Sequence, residues 1–165
     1  TMNNYFLGAK LVRGAYMEKE RDRAEEFNYP SPIFPDKEAT DNAFNQALSY
    51  CIDHKQRIAV MCGSHNEYSN YYLTVLMEKH GMANKDERVW FSQLFGMSDN
   101  ISFNLATVGY NVAKYVPYGP VRSVMPYLFR RAEENTSVAG QSSRELTLIK
   151  KELKRRQSAP GVANQ

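Results

Sequence analysis

Short apolar runs alternate with amphipathic segments along the chain. Four runs are rich in Val, Ile and aromatic residues and do not alternate cleanly with polar positions: Lys10–Tyr16, Arg57–Gly63, Arg88–Phe95 and Asn111–Pro117. Near-continuous apolar runs are typical of strands that are covered on both faces, as in a parallel sheet. We therefore predict four strands at these positions.

Helical patterns fill the segments between the predicted strands. They predict helices over Glu18–Phe27, from a cap at Thr40 or Asp41, from a capping pair at Ser64 and Glu67 to Gly81, from Asp99 to near Gly109, over about 121–135 and over Ser143–Gln157. The order is (βα)₄ plus a terminal helix, which implies an α/β fold with a parallel sheet. Half of a βα barrel and a small doubly wound sheet both fit this order. A complete eight-stranded barrel takes about 250 residues, and the sequence has 165.

Composition and charge narrow the function classes. Hydrophobic residues make up 42% and charged residues 24%, as in an ordinary globular domain. The net charge is +3, but the segment Arg144–Arg156 alone carries six Lys/Arg and two Glu. The rest of the chain is close to neutral, so we expect no nucleic-acid partner. We divide the chain into an α/β domain at 1–140, an amphipathic helix at 141–157 and a disordered tail at 158–165.

Signals that are absent from the sequence bear on the cellular compartment of the protein. No stretch approaches the roughly 20 apolar residues of a membrane span. The first ten residues lack a basic start and a long apolar core, so we expect no secretory signal. Two cysteines, Cys51 and Cys62, are too few for a disulfide framework and favour a reducing compartment. We expect a cytoplasmic protein.

The predicted helix after the fourth strand carries an arginine pair. Tyr127, Arg130, Arg131 and Glu134 are spaced i, i+3, i+4 and i+7, so they form one stripe. The planar fork of arginine matches a carboxylate with two hydrogen bonds, and the acid on the next turn can hold one arginine in place. An exposed helix face with weak ion pairs is the other interpretation of this stripe.

Other candidate residues follow the strands. Gly14 and Ala15 close the first run, and such small residues let backbone amides approach a phosphate or a ring. Gly63–Asn66 opens a helix, where anions are favoured, although His65 can also be a packed side chain. Gln93 lies inside a strand, where a buried amide needs partners that a cofactor edge could supply. The sequence has no dinucleotide or P-loop glycine motif, no nucleophile elbow and no zinc pattern, so we expect no metal.

Taken in order, these segments resemble the proline dehydrogenase family, the flavoenzymes of proline catabolism. The similar segments are KLVRGAYMEKERDRAEE for the fifth barrel strand and its helix, GSHN for the sixth strand end, FSQLFGM for the seventh strand, and KYVPYGPVRSVMPYLFRRAEEN for the eighth strand and helix. The resemblance covers about residues 8–137. It implies the C-terminal half, strands 5–8, of a distorted (βα)₈ TIM-like barrel with FAD at its C-terminal face. It also implies oxidation of L-proline to Δ1-pyrroline-5-carboxylate, with hydride transfer to flavin N5.

The resemblance assigns a role to each candidate residue. The catalytic positions are Lys10 near flavin N5 and Tyr16, which lines the site. The substrate positions are Arg130 and Arg131 for the carboxylate, Glu134 to orient them, and Leu11, Tyr115 and Tyr127 around the proline ring. The cofactor positions are Arg13, Gly14, Ala15, Ser64, His65 and Gln93, with Lys37 and Thr40 near the adenosine part. Lys10 departs from the arginine that many bacterial relatives carry, and Ser64 replaces a commoner threonine.

The family's earlier barrel strands, which supply further groups for substrate and flavin, have no counterpart in this sequence. The resemblance therefore predicts a fragment that is weakly active or inactive alone. Its expected partners are L-proline, the N-terminal half of the same barrel, a quinone or other electron acceptor, and a second copy through the open barrel edge. The alternative is a non-catalytic half-barrel module for binding or assembly. Its terminal helix would use Leu146, Ile149 and Leu153 on a partner, or contact an inner membrane peripherally.

Overall fold

The strands lie in the sheet in the order in which they occur in the chain. The computed structural model describes the backbone of residues 5–137 and 139–158, and the side chains of 5–131 and 146–158. The elements are β1 Leu7–Leu11, α1 Met17–Glu26, α2 Lys37–Asp53, β2 Ile58–Gly63, α3 Glu67–Lys79, β3 Val89–Leu94, α4 Asp99–Thr107, β4 Val112–Tyr115, α5 Val121–Ser137 and α6 Ala139–Ser158. The sheet order is β1-β2-β3-β4, and all neighbouring strands are parallel. The predicted parallel α/β fold is confirmed.

The first strand is the one predicted least well. We predicted Lys10–Tyr16, but β1 is Leu7–Leu11. Gly14 and Tyr16 have φ angles of 72° and 57°, and the left-handed region is incompatible with an extended strand. Residues 13–16 therefore form a loop between β1 and α1. The other three strands lie within their predicted ranges.

Two helices begin at aspartate and asparagine caps. Asp36 caps α2 and Asn66 caps α3, and each side-chain oxygen accepts a hydrogen bond from the backbone N–H three residues on. The predicted caps at Thr40 or Asp41 and at Ser64 are wrong. Asp and Asn are strong N-cap residues because the short side chain reaches the unpaired N–H groups of the first turn. α6 also begins earlier than predicted, at Ala139.

One face of the sheet forms the core of the first of two compact units, Thr1–Tyr115 and Val116–Gln165. This face packs against α2, α3 and α4. The buried cluster includes Leu48, Ile52, Val60, Cys62, Leu73, Met77, Val89, Phe91, Ile101 and Leu105. Burying a large aliphatic or aromatic side chain contributes about 1.5–3 kcal/mol. This helix-covered face therefore supplies most of the apolar burial of the unit.

The opposite face of the sheet, called here the open face, carries a different set of side chains. The register pairs Lys10 with Met61 and Met61 with Trp90, and it pairs Leu94 with Tyr115. Alternate residues of a strand point to opposite faces, so these five side chains lie away from the helices. None of them belongs to the buried cluster, and Trp90 and Tyr115 are exposed.

The second unit consists of α5 and α6, which contact each other. Leu146, Ile149 and Leu153 of α6 are all more than half exposed. The tail predicted to be disordered falls, after Ser158, outside the described residues. In the part of the chain that the structure describes, no helix combines the length and the apolar character needed to cross a membrane.

The burial of both cysteines, Cys51 on α2 and Cys62 on β2, predicts that their thiols react slowly. Cys51 and Cys62 are unpaired and buried, and burial raises the pKa of Cys62 to about 12 and that of Cys51 above its usual value. Because the thiolate is the nucleophile, we expect both to react with Ellman's reagent about 100-fold more slowly in the native protein than after denaturation. A guanidinium-unfolded sample provides the reference rate. Rapid labelling of native Cys62 would contradict the placement of β2.

Candidate active site at the carboxyl ends of the strands

Three loops meet where β1, β2 and β3 end. They are residues 12–16, residues 64–66 and residues 95–98. The carboxyl ends of parallel strands share one edge of a sheet, which is where ligands bind in such folds. Arg13 Nη1 donates to Ser64 Oγ at 2.8 Å, and His65 Nδ1 lies 2.9 Å from Ser98 Oγ. The structure thus brings Arg13, Ser64 and His65 to the same edge.

Arg13 contacts several side chains at this edge. Besides Ser64, it donates from Nη2 to Ser69 Oγ at 2.6 Å. Its Nε lies 2.7 Å from Asp41 Oδ1, and its Cζ lies 3.8 Å from the centre of the Phe44 ring. A cation over an aromatic face is attracted by the ring and contributes about 0.5–2 kcal/mol. The loop after β1 is therefore tied to both α2 and α3.

Asp41 joins two predicted cofactor residues, Lys37 and Arg13. Lys37 Nζ contacts the second carboxylate oxygen of Asp41, and Thr40 Oγ1, on the same turn, donates to the Asp36 carbonyl at 2.9 Å. Partial burial opposes ionisation of Asp41, but the hydrogen bond from Lys37 and the charge of Arg13 hold its pKa below the usual value. Asp41 is therefore ionised at neutral pH. The sequence analysis considered Asp41 only as a cap and missed this ion pair.

The loop itself has an unusual backbone. Gly14 is left-handed, and open space surrounds the position where a Cβ would stand, so its φ alone requires glycine. Tyr16 is left-handed as well, which is uncommon for an aromatic residue, and its side chain is 73% exposed. Ser98, which precedes α4, and Gly96 in the same loop are also left-handed. The backbone at Gly14 and Ala15 is thus accessible from the edge.

Lys10 and Tyr115 approach each other across the open face. Lys10 Nζ lies 5.7 Å from the centre of the Tyr115 ring, although β1 and β4 are the outermost strands. Four strands in a flat sheet place the outer pair about 14 Å apart, so this contact requires a sheet that curves toward its open face. Glycine at position 63 leaves room for β1, because a Cβ there would lie 2.9 Å from Val12 Cγ1, 3.0 Å from the Leu11 carbonyl oxygen and 3.2 Å from Lys10 Cε.

Leu11 lies on the other face of the sheet. It pairs in register with Cys62 and packs against the buried cluster. Leu11 is thus on the face opposite to Lys10 and Tyr115, and this placement does not favour the predicted contact with a substrate ring. That contact stays a prediction.

Gln93 is also on the helix-covered side, where it is buried. Its partners all belong to the protein: Nε2 donates to Ser64 O at 3.2 Å and Asn70 Oδ1 at 3.3 Å, and Oε1 accepts from Ser102 Oγ at 2.9 Å. The need of this buried amide for partners is therefore met within the protein, and these bonds cross-link strand β3 to α3 and α4. The contact of Gln93 with a flavin stays a prediction.

The arginine pair lies on α5, in the second unit. Arg131 Cζ is 5.5 Å from the centre of the Tyr127 ring, as the i, i+4 spacing predicts. Arg131 is half-buried and Arg130 is exposed. Glu134 belongs to the same helix, but its side chain lies outside the described residues. Within the described residues, no three His, Cys, Asp or Glu side chains are grouped so as to hold a metal ion.

Comparison with known proteins identifies the family. The proline dehydrogenase family model matches residues 1–144. Human proline dehydrogenase 1, a mitochondrial protein by name, is 49% identical over 152 residues, which cover 90% of this chain and 25% of the relative. Human hydroxyproline dehydrogenase is 43% identical over 153 residues, covering 90% and 33% of the two chains.

A solved structure agrees with this match. Proline utilization A from Bdellovibrio bacteriovorus, in a form inactivated by N-propargylglycine, superposes with a TM-score of 0.72 and 29% identity. The superposition covers 81% of this chain and 14% of that protein. The chain thus spans about a quarter of the length of the human proline dehydrogenase it matches. On this evidence the chain belongs to the proline dehydrogenase family.

Proposed function

We propose that the sheet is the C-terminal half, strands 5–8, of a (βα)₈ barrel. A doubly wound sheet reverses its strand order at a switch point, whereas this sheet runs β1-β2-β3-β4 without reversal. The buried cluster lies on one face only, as in a barrel wall. The approach of Lys10 to Tyr115 supports inward curvature. The missing partner is then the N-terminal half of the same barrel.

The function that the site supports best is FAD-dependent oxidation of L-proline to Δ1-pyrroline-5-carboxylate. The observation that carries the proposal is the pair of cations at one sheet edge, Lys10 and Arg13, in a chain of this family. In this role FAD, when bound, supplies the hydride acceptor. The electron acceptor that reoxidises the enzyme is a quinone or another oxidant.

The residues at the edge fit a flavin dinucleotide. The accessible backbone at Gly14 and Ala15 suits a flat ring or a phosphate at close range. Arg13 and Ser64 offer polar groups to the phosphates, and His65 closes the neighbouring loop. Lys37 and Thr40, on the first turn of α2, would reach the adenosine part. Lys10 would place a positive charge near flavin N5, where it raises the electron affinity of the ring.

Substrate binding is assigned to the aromatic and guanidinium groups. Arg130 and Arg131 would hold the proline carboxylate, with Glu134 orienting them, because a planar fork matches a carboxylate. Tyr115 and Tyr127 would pack around the proline ring, and Tyr16 would line the site. Fixing a small substrate in this way can lower the activation barrier by several kcal/mol through positioning alone. No strong protein acid or base is needed for the hydride step.

A second role is supported by the terminal helix. Leu146, Ile149 and Leu153 form an exposed apolar stripe on α6, flanked at helical spacing by Lys150 and Arg156. An apolar stripe between cations is typical of helices that lie on anionic membrane surfaces. We propose peripheral membrane contact through this stripe. Whether the protein works in the cytoplasm or at an inner membrane stays a prediction.

The arginine pair gives the main test of the proposed activity. Changing Arg131→Met in the full-length protein should raise the KM for proline about 100-fold, since a charged hydrogen-bonded contact to the carboxylate is lost. Flavin absorbance should be retained. Arg122→Met, an exposed arginine on the same helix, is the matched control and should leave the KM unchanged. An unaltered KM for Arg131→Met would refute the assignment.

The half-barrel proposal predicts the behaviour of the 165-residue chain alone. The purified chain should bind little or no FAD, oxidise proline poorly and form dimers or larger species through its open face and edges. Light scattering after size exclusion, with a flavin absorbance scan, measures these properties. A yellow monomer that oxidises proline at the rate of a full-length family member would count against a half barrel.

The membrane proposal predicts selective binding to vesicles. The full-length protein should sediment with vesicles containing phosphatidylserine and not with pure phosphatidylcholine vesicles, because the stripe is flanked by cations. Removing residues 144–165 should abolish sedimentation while flavin remains bound. Equal sedimentation of the truncated protein would show that another surface is responsible.

A further inference from the structure

Asp41 lies beside the guanidinium group of Arg13 and also contacts Lys37. Its Oδ1 lies 2.7 Å from Arg13 Nε, and its side chain is 22% exposed. The Phe44 ring, one turn further along α2, covers a face of the same guanidinium at 3.8 Å. Helix α2 therefore holds the guanidinium group of Arg13 by an ion pair at its Nε side and by a ring against one of its faces.

Two serine hydroxyls hold the opposite edge of the guanidinium. Ser69 Oγ donates its proton to Asn45 Oδ1 at 2.7 Å, so it can only accept from Arg13 Nη2. Ser64 Oγ accepts both from Arg13 Nη1 at 2.8 Å and from the backbone N–H of Asn66 at 3.1 Å. Both serine oxygens therefore accept from Arg13, and the hydrogen bond from Ser69 to Asn45 fixes the direction of the Ser69 hydroxyl.

These contacts leave part of the guanidinium available. Arg13 has five N–H groups: one faces Asp41, and one from each Nη goes to a serine. The second N–H of each Nη makes no hydrogen bond to the described residues. A remaining N–H group on a guanidinium of fixed orientation can donate a charged hydrogen bond to a phosphate oxygen.

We propose that Asp41 is a positioning residue for cofactor binding, which acts through Arg13 and does not touch the cofactor itself. It fixes the guanidinium so that a remaining N–H group can donate to an oxyanion, the diphosphate of a dinucleotide such as FAD. This inference rests on the proposed function, because it deepens the role given there to Arg13. A flexible arginine would lose conformational freedom on binding, and Asp41 removes that cost.

The test is a double-mutant cycle on flavin binding by the full-length protein. FAD is titrated into apoprotein and its dissociation constant is read from quenching of flavin fluorescence. Asp41→Asn should raise the constant about tenfold, and Asp41→Glu should restore most of the loss. In an Arg13→Ala background, Asp41→Asn should change the constant less than about twofold. Glu38→Gln, an exposed acid on the same helix, is the charge-matched control and should have no effect.

Each outcome separates the inference from the proposed function. If the unaltered protein takes up no FAD, the proposed function fails. If it binds FAD and Asp41→Asn has no effect, or the same effect with and without Arg13, the positioning role is overturned. Should circular dichroism show that Asp41→Asn does not fold, Ser69→Ala carries the test. It removes one hydrogen bond to Arg13 and should raise the dissociation constant about threefold, and an unchanged constant would overturn the proposal.

Discussion

Burial of one face of the sheet against α2, α3 and α4 is the constraint from which the other features follow. The buried cluster fixes the register of the four strands and turns the alternate side chains, among them Lys10 and Tyr115, to the open face. The same packing aligns the carboxyl ends of the strands at one edge. Residues that are distant in the sequence, such as Arg13 and Ser64, are therefore neighbours because of apolar packing elsewhere in the sheet.

The sequence predicted the elements better than their ends and contacts. The four strands and the parallel order follow from local apolar runs, which depend on residue type alone. The end of β1 could not be located, because the left-handed backbone at Gly14 and Tyr16 is a property of the folded loop. Asp36 and Asn66 were overlooked as caps because other capping residues lie within a few positions of each. Competing signals of equal strength cannot be ranked without the packing of the helix.

In the candidate site, too, features with a local sequence signal were predictable and contacts between distant residues were not. The neighbourhood of Arg13 and Ser64 was expected from their positions at strand ends. The roles of Asp41 and Phe44 were not, since their contacts with Arg13 join residues about 30 positions apart and have no local signature. Gln93 shows the limit of local information: a buried amide does need partners, and here α3 and α4 supply them through contacts that the sequence alone does not reveal.

The left-handed residues Gly14, Tyr16 and Ser98 have a further consequence. All three stand in loops at the same edge, two of them non-glycine residues in a backbone conformation that is disfavoured for them. Their order is imposed when the chain folds, so little rearrangement is needed when a ligand arrives. Such a preorganised edge should bind with a small entropic penalty, and its geometry should be nearly the same with and without its ligand.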